Sequence, residues 1–600
     1  MSQSTTLSEF DIIFAGGGAT ACVIAGRLAA CDPSLKILIL EGGGHTLDQD
    51  AHVQPYLYAT HQAPTSTTVT PYVANPSPSL NGRAPIVSVG HCVGGGSSVN
   101  FMVYTRAPAS DYDDWGVDGW ESKHLIPLMK KLETYEEQPV GATHGRNGPI
   151  KVSYGGRKPG IWEEFIHVGT TYHKRPYADD TDDLETCNTY SPWPKYIGGT
   201  TGRRSDAAHH YIYNQAHNPN LQLWVGKRVK RVIFEDKRAV GVEFISDPVT
   251  CPGADQSSSI VRASKLVVVS AGAFGSPTIL ERSGIGAERV LKHCGIEQLV
   301  NLPGVGENYR DHNGGFAPFF ASDEAVTLDS LWRGEKSVMQ DSLAQWKING
   351  NGCDAKIKWR PDDDELRAMG SGFQATWKEF FEDRPDKAVS ILAPCAGFVG
   401  LSSALPHRNY LGAGYFTLYP KSVGSVHIKL EENGKEGIDF TTGFLDDPSD
   451  IIPLNFGYKR LRELIRRMPS YRGEVSAGHP CFPEGSAAIC GEASGPVDMH
   501  APDIIYTAED DEVIDKFHRA TMQTSWHSLG TCAMKPESDQ GVVDARLNVY
   551  GVANLKVADM SIAPKNVGTN TYSTALLIGE KAAMIIAEDL GIDVGLLARL

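Results

Sequence analysis

The sequence predicts an α/β fold: a discontinuous, Rossmann-like dinucleotide-binding domain with an α+β substrate-binding cap domain built on an antiparallel sheet. Three observations carry this. Residues 10–41 read as strand, glycine turn, helix, strand and acidic stop; a second strand–turn–helix passage occupies residues 265–286; and a helix-patterned tail follows Asn570. Segments of one texture therefore stand at the beginning, middle and end of the chain, so the domain they build must be discontinuous.

The first strand, Phe10 to Ala15, is a short apolar run of the kind a strand buried on both faces requires. Gly16, Gly18 and Ala21 follow on the G-x-G-x-x-G/A spacing. Gly16 allows a sharp turn, Gly18 allows backbone to approach a pyrophosphate, and Ala21 lets the helix pack closely on the strand. The helix then offers free N–H groups and its positive dipole end to that pyrophosphate. Lys36 to Leu40 is the second strand, and Glu41 closes it at the ~20-residue distance of a carboxylate that binds a ribose hydroxyl. An ordinary glycine turn is the alternative, but both strands, the helix and Glu41 stand in register. Farther on, Gly94, Gly95 and Gly96 form a loop without side-chain bulk, where N–H groups can approach a cofactor and Ser97 and Ser98 can add hydroxyls.

Leu221 to Ser246 alternates like antiparallel strands, with Glu235 and Asp236 near a hairpin turn. Lys265 to Gly286 returns to the nucleotide-domain sheet. From about His312 to Thr521 the texture changes: an acidic, Trp-bearing segment (residues 328–350) and alternating pieces such as AGYFTLYP and SVHIKLEENG point to an antiparallel sheet with flanking helices. The expected division is 1–155, 193–311 and 522–600 for the nucleotide domain, with 156–192 and 312–521 for the cap.

A chain of 600 residues and 65.0 kDa exceeds a single core, which seldom grows past about 250–300 residues. The net charge of -16 and pI near 5.6, without any basic run, argue against nucleic acid or an anionic membrane as partner. No stretch approaches the ~18 apolar residues of a membrane span, and the first residues lack a signal-peptide pattern. The 11 cysteines form no C-x-x-C pair and no cysteine–histidine cluster at metal spacing, so no metal site is expected.

Five separated segments, GHCVGGGSSVNFMVYTRAPASDYDDW (90–115), GAFGSPTILERSGIG (272–286), WHSLGTCAMKP (526–536), NLKVADMSI (554–562) and GTNTYSTALLIGEKAA (568–583), make the chain resemble the glucose–methanol–choline oxidoreductase family over nearly its whole length. Within that family, NPSPSLNGR, YTRAPASDYDDW and TTGRRSDAA are most similar to fungal alcohol oxidases. The resemblance implies FAD, with Gly16, Gly18, Ala21, Glu41, Gly95, Ser97, Asn100, Val229, Asp559 and Thr571 around it. Members that tether FAD use a histidine immediately before the asparagine of the first signature; here Val99 precedes Asn100, which implies noncovalent FAD. One departure from the family pattern is His91, where Arg, Lys, Asn or Cys is usual.

The resemblance makes His527 the base that takes a hydroxyl proton and Asn570 the neutral donor that holds the substrate oxygen. An imidazole titrates near neutrality, and an amide steadies an alkoxide without titrating. The competing reading of Asn570 is a helix cap. Phe101 and Trp526 would wall a cavity for a short primary alcohol, oxidised to an aldehyde while dioxygen becomes hydrogen peroxide; ordinary core packing is their alternative. A larger aryl or secondary-metabolite alcohol remains open, as does a flavoprotein that keeps FAD for structure alone. Alcohol and dioxygen are then the expected partners, and the resemblance leaves room for a homo-oligomer. Ala598-Arg599-Leu600 reads as a variant peroxisomal address, with the cytoplasm as the alternative location.

Overall fold

The computed structural model describes residues 6–138, 141–156, 160–335, 350–400, 405–431 and 434–593. The terminal tripeptide and residues 336–349 of the Trp-bearing segment lie outside them.

β1 (Thr6–Ala15) is longer than its apolar core, and Ile12, Ile13, Phe14 and Ala15 are fully buried. It lies between β2 (Ile37–Leu40) and the Ser259–Val269 strand, parallel to both. Ser259–Val269 forks the sheet: its first half pairs antiparallel with Arg238–Ser246, and its last residues pair parallel with Leu555–Val557. Segments from the start, middle and end of the sequence thus share one seven-stranded sheet among the described residues.

The stretch Leu221 to Ser246 divides differently from its expected all-antiparallel form. Leu221–Trp224 pairs parallel with β2 at the sheet edge, because the turn at Gly226, with φ of 64°, separates it from the next strand. Only Lys227–Glu235 and Arg238–Ser246 form the hairpin. Asp236 and Lys237 both take positive φ there, as a two-residue turn that matches strand twist requires.

α1 (Ala19–Cys31) packs against the C-terminal helix Tyr572–Asp589. Two buried cross-links join them: Thr20 Oγ1 donates to the Ala575 carbonyl at 3.0 Å, and Arg27 Nε donates to Glu580 Oε1 at 2.7 Å. Residues more than five hundred positions away therefore hold the helix that carries the glycine turn.

A second seven-stranded sheet runs Tyr471–Glu474, Asn313–Ala321, Tyr410–Thr417, Ser390–Cys395, Ala355–Trp359, Tyr190–Pro192, all antiparallel, with Gln523–Thr524 added beside Asn313. Helix Ile451–Arg466 covers it. Gln523–Thr524 carries the cap sheet past residue 521 and delivers the chain directly to Trp526 and His527. Each sheet has its own apolar core. No helix among the described residues is long and apolar enough to cross a membrane.

Candidate active site

A cavity of about 1340 Å³ runs between the two sheets, well above the ~300–1,000 Å³ usual for one small ligand. At one end the two glycine loops meet: Gly94 N donates to the Gly17 carbonyl at 2.8 Å, and a Cβ on Gly95 would stand 3.0 Å from Gly18 Cα. α1 has no side-chain cap at Gly18, so its first N–H groups face the cavity for a ligand to satisfy. A Cβ on Gly18 would touch protein only at 3.9 Å; the space over this glycine belongs to whatever fills the cavity.

Glu41 sits at the end of β2, its carboxylate accepting from Gly17 N and Gly43 N, both at 2.8 Å. Burial pushes this carboxyl above its ordinary range, opposed by those two N–H groups and by nearby His91. His91 lies over Gly42 with Nε2 3.3 Å from Asp247 Oδ1; burial disfavours its charge, but Asp247 and Glu41 hold it above the usual imidazole value. The buried Glu41 carboxylate thus has a basic neighbour. Val229 lines the same end beside a bulge at Lys230, and such a bulge takes backbone out of the ladder. The Asp559 carboxylate accepts from Gly272 N at 2.9 Å, Ser276 Oγ at 2.6 Å and Ser561 N at 2.7 Å, so it fixes the start of helix Gly272–Arg282 beside the cavity. Asn100 Oδ1 accepts from Arg204 Nη1 and Met102 N, and Ser97 Oγ donates to the Gly94 carbonyl. These bonds shape the second glycine loop. Ala21 is fully buried and does not line the cavity, consistent with a packing role. Val99 lines it next to Asn100. The donors, the glycine approach and the carboxylate suit a dinucleotide.

At the other end His527 Nε2 stands 3.2 Å from Asn570 Nδ2, and its Nδ1 stands 2.8 Å from His312 Nδ1. The hydrogen-bond directions follow from an indole, which can only donate. Trp193 Nε1 donates to Thr105 Oγ1 at 3.1 Å, and Thr105 Oγ1 donates to Asn570 Oδ1 at 2.9 Å. That turns the Asn570 amide nitrogen toward His527, whose Nε2 must then present its lone pair. The ring proton is left on Nδ1, donated to His312. Burial, and then the neighbouring His312, hold His527 well below the ordinary imidazole range, and burial pushes His312 down to about 3. Both rings are neutral at physiological pH. Asn570 is therefore not the cap of the following helix; Thr571 occupies that position and lines the cavity.

Phe101 and Trp526 line the same cavity as this pair with ring centroids 5.7 Å apart, and Phe416 packs 5.7 Å from the His527 ring. Trp526 has φ of 59° and Met102, beside Phe101, has 61°. Bulky residues in this region are strained by about 1–3 kcal/mol, and such strain gathers at functional sites. Asp311 overrides it for Trp526: its oxygens accept from His527 N at 2.9 Å, His312 N at 2.7 Å and Thr524 Oγ1 at 2.5 Å. Sequence reasoning misses Asp311, His312, Thr105 and Trp193. Only the adjacent, chemistry-bearing pair Asp311-His312 at the entry to the cap could have drawn attention to them. A Thr105→Val variant is expected to free the Asn570 amide and lower kcat about tenfold, the loss of roughly one 1–1.5 kcal/mol hydrogen bond, with little change in FAD content. Steady-state kinetics on flavin-normalised protein checks it.

A dinucleotide cradle continuous with a chamber holding a neutral, oriented imidazole and an amide donor defines a dinucleotide-dependent oxidoreductase. Residues 10–314 and 420–579 match the N- and C-terminal parts of GMC oxidoreductase. Alcohol oxidase 1 of Komagataella phaffii is 40% identical over 635 residues, covering 97% of this chain and 95% of that protein. Alcohol oxidase of Candida boidinii is 40% identical over 637 residues with the same coverage. Among solved structures, a FAD-dependent oxidoreductase from Chaetomium thermophilum superposes with a TM-score of 0.78 at 25% identity, covering 97% of this chain and all of that one. The chain belongs to the GMC oxidoreductase family, and the dinucleotide of its cradle is FAD.

Proposed function

We propose that the protein is an alcohol oxidase that converts short primary alcohols to aldehydes and dioxygen to hydrogen peroxide, using noncovalently held FAD. The carrying observation is the His527–Asn570 pair, 3.2 Å apart in the wall of the cavity, with the His527 Nε2 lone pair accepting from the Asn570 amide. The 40% identity to alcohol oxidases supports the substrate class. Val99, where a tethering histidine would stand, supports noncovalent binding. When bound, FAD supplies a two-electron acceptor for the carbinol hydride and a route for those electrons to dioxygen.

The residues do the rest. His527 Nε2 takes the hydroxyl proton as the carbinol C–H breaks. Asn570 Nδ2 then has a better acceptor than a neutral imidazole, the developing alkoxide, and donates to it. Protonation of His527 would leave a charge in a buried site, so the proton is held only while a negative charge stands beside it and leaves as one of the two protons of hydrogen peroxide. Glu41 binds ribose hydroxyls, and Gly18 and Gly95 admit the pyrophosphate. Phe101 and Trp526 exclude water and limit the alcohol's size.

Anaerobic bleaching of the flavin by methanol, ethanol, butanol and benzyl alcohol, followed by aeration and peroxide detection, tests the proposal. Rates should fall as bulk increases. Equal rates on methanol and benzyl alcohol would sink the narrow chamber, and no peroxide on aeration would sink the oxidase. The working imidazole is the neutral one, and its pKa in the fold is below the ordinary 6.5. Activity is therefore full above that value, and the acid limb of kcat/KM should lie well below pH 6.5; a limb at or above 6.5 would show that His527 is not the titrating base. Glu41→Gln should weaken FAD at least about tenfold, since charge-assisted hydrogen bonds contribute roughly 1.5–3 kcal/mol, and fluorescence of released FAD on dilution measures it.

Peroxisomal residence belongs to the same proposal. A producer of peroxide is suited to a compartment that destroys it, and imaging a fusion that leaves Ala598-Arg599-Leu600 free against one that masks it provides the check.

A further inference from the structure

Two thiols face each other in the wall of the reaction cavity. Cys353 precedes the Ala355–Trp359 strand, Cys395 ends the neighbouring Ser390–Cys395 strand, and their Sγ atoms are 3.7 Å apart. Ala396 N donates to the Gly352 carbonyl at 2.8 Å and ties the two strand ends together. Both cysteines line the cavity that holds His527, yet each is under a tenth exposed, so small molecules reach them from within. Nothing in the proposed alcohol chemistry uses them.

We propose that Cys353 and Cys395 form a peroxide-oxidisable dithiol that becomes a disulfide during turnover and reshapes the alcohol chamber. The oxidant is the enzyme's own product, so the turnover part rests on the oxidase reading. One thiol attacks hydrogen peroxide, an S–O bond forms, the O–O bond breaks and water leaves. The second thiol then attacks the resulting sulfenic sulfur, the S–S bond forms, the S–O bond breaks and a second water leaves. Two thiols lose two electrons and two protons, and one peroxide becomes two waters.

Rate and consequence are both set by the surroundings. The hydrogen bond from Cys353 and burial hold the Cys395 thiol above its ordinary value, and since the thiolate is the reactive form, oxidation takes many turnovers. The pair serves as a slow record of peroxide exposure. Two routes connect it to the chamber. Cys353 N donates to Asn351 Oδ1 at 3.0 Å, and Asn351 Nδ2 in turn holds the Phe101 carbonyl. On the other side Tyr58, whose phenol lies against Cys395, packs on Phe101 with centroids 4.3 Å apart. Drawing the sulfurs from 3.7 Å to the ~2.05 Å of a disulfide moves both supports of Phe101.

The test uses reduced holoenzyme in two arms, alcohol with air and reagent hydrogen peroxide without alcohol, each followed by alkylation and non-reducing peptide mapping. A linked Cys353–Cys395 peptide is expected in both, with exposed Cys481 as the reference for indiscriminate oxidation. KM should rise about threefold as the link accumulates and return on reduction, an effect in keeping with sub-ångström displacement of a positioning wall. Cys353→Ala and Cys395→Ala should each keep a constant KM under the same peroxide. No linked peptide with reagent peroxide overturns the proposal, as does linkage with unchanged KM. Linkage with reagent peroxide but none with alcohol and air overturns the turnover part while leaving the dithiol itself established, and peroxide measured in the same arm decides whether the oxidase reading falls with it.

Discussion

His527→Ala is expected to slow anaerobic reduction of the bound flavin by alcohol about 10³-fold, within the ~10²–10⁴-fold that a positioned general base contributes. The visible flavin spectrum at rest should stay close to native, because His527 is absent from the cradle of Gly18, Gly95 and Glu41. The effect is large because the geometry offers no substitute. Asn570 is held as a donor by Thr105 and cannot accept the proton, and the His312 ring lies behind His527 as a poor base, pushed down to about 3 by burial. Removing the ring also leaves His312 Nδ1 without the proton it accepts, in a site from which burial excludes charge. Stopped-flow absorbance under nitrogen gives the rate directly, and His527→Gln separates loss of the base from loss of bulk. Reduction at the native rate in either variant would remove His527 from the chemistry.

The part of the molecule legible in the sequence is local. β1, Gly16, Gly18, α1, β2 and Glu41 are contiguous, so spacing alone places them. His527 and Asn570 can be chosen one at a time from their segments, but their 3.2 Å contact joins positions 43 residues apart, one in the loop after Gln523–Thr524 and the other just before helix Tyr572–Asp589. The direction of that contact is beyond reach. It depends on Trp193, at the edge of the cap sheet, and Thr105, near the second glycine loop, whose union requires the folded cap. Asp311 and His312 are hidden for a related reason: their function is to hold backbone and ring of another segment, and no spacing along the chain records it. The parallel pairing of Leu221–Trp224 escapes because alternation reports which faces are buried and not the direction of the neighbour. Cys353 and Cys395 are 42 residues apart and become neighbours only through antiparallel pairing.

The two glycines of the opening turn should fail in different ways when each is changed to alanine. Gly16 has φ of 108°, and a Cβ there would stand 2.4 Å from the Ser270 carbonyl oxygen and 2.9 Å from Ala271 Cα. Those atoms are backbone at the end of the Ser259–Val269 strand and cannot swing aside. Strain of about 1–3 kcal/mol and a steric displacement of about 1–3 kcal/mol then fall on a protein whose whole stability is of order 5–15 kcal/mol. Gly16→Ala should melt well below native even before cofactor is considered, and should purify without FAD. Gly18 has φ of -70° and only a 3.9 Å contact to protein, so Gly18→Ala should fold normally. Its methyl instead enters the space a pyrophosphate needs, and FAD affinity should fall at least about a hundredfold, as the fingerprint's close-approach role implies. Thermal melts of the two apoproteins, paired with FAD titration, separate the duties: Gly16 allows two strands to meet, and Gly18 allows the cofactor to come between helix and loop. A native-like FAD affinity in Gly18→Ala would mean that the pyrophosphate lies elsewhere in the cavity, and the roles assigned to Gly95 and Glu41 would have to move with it.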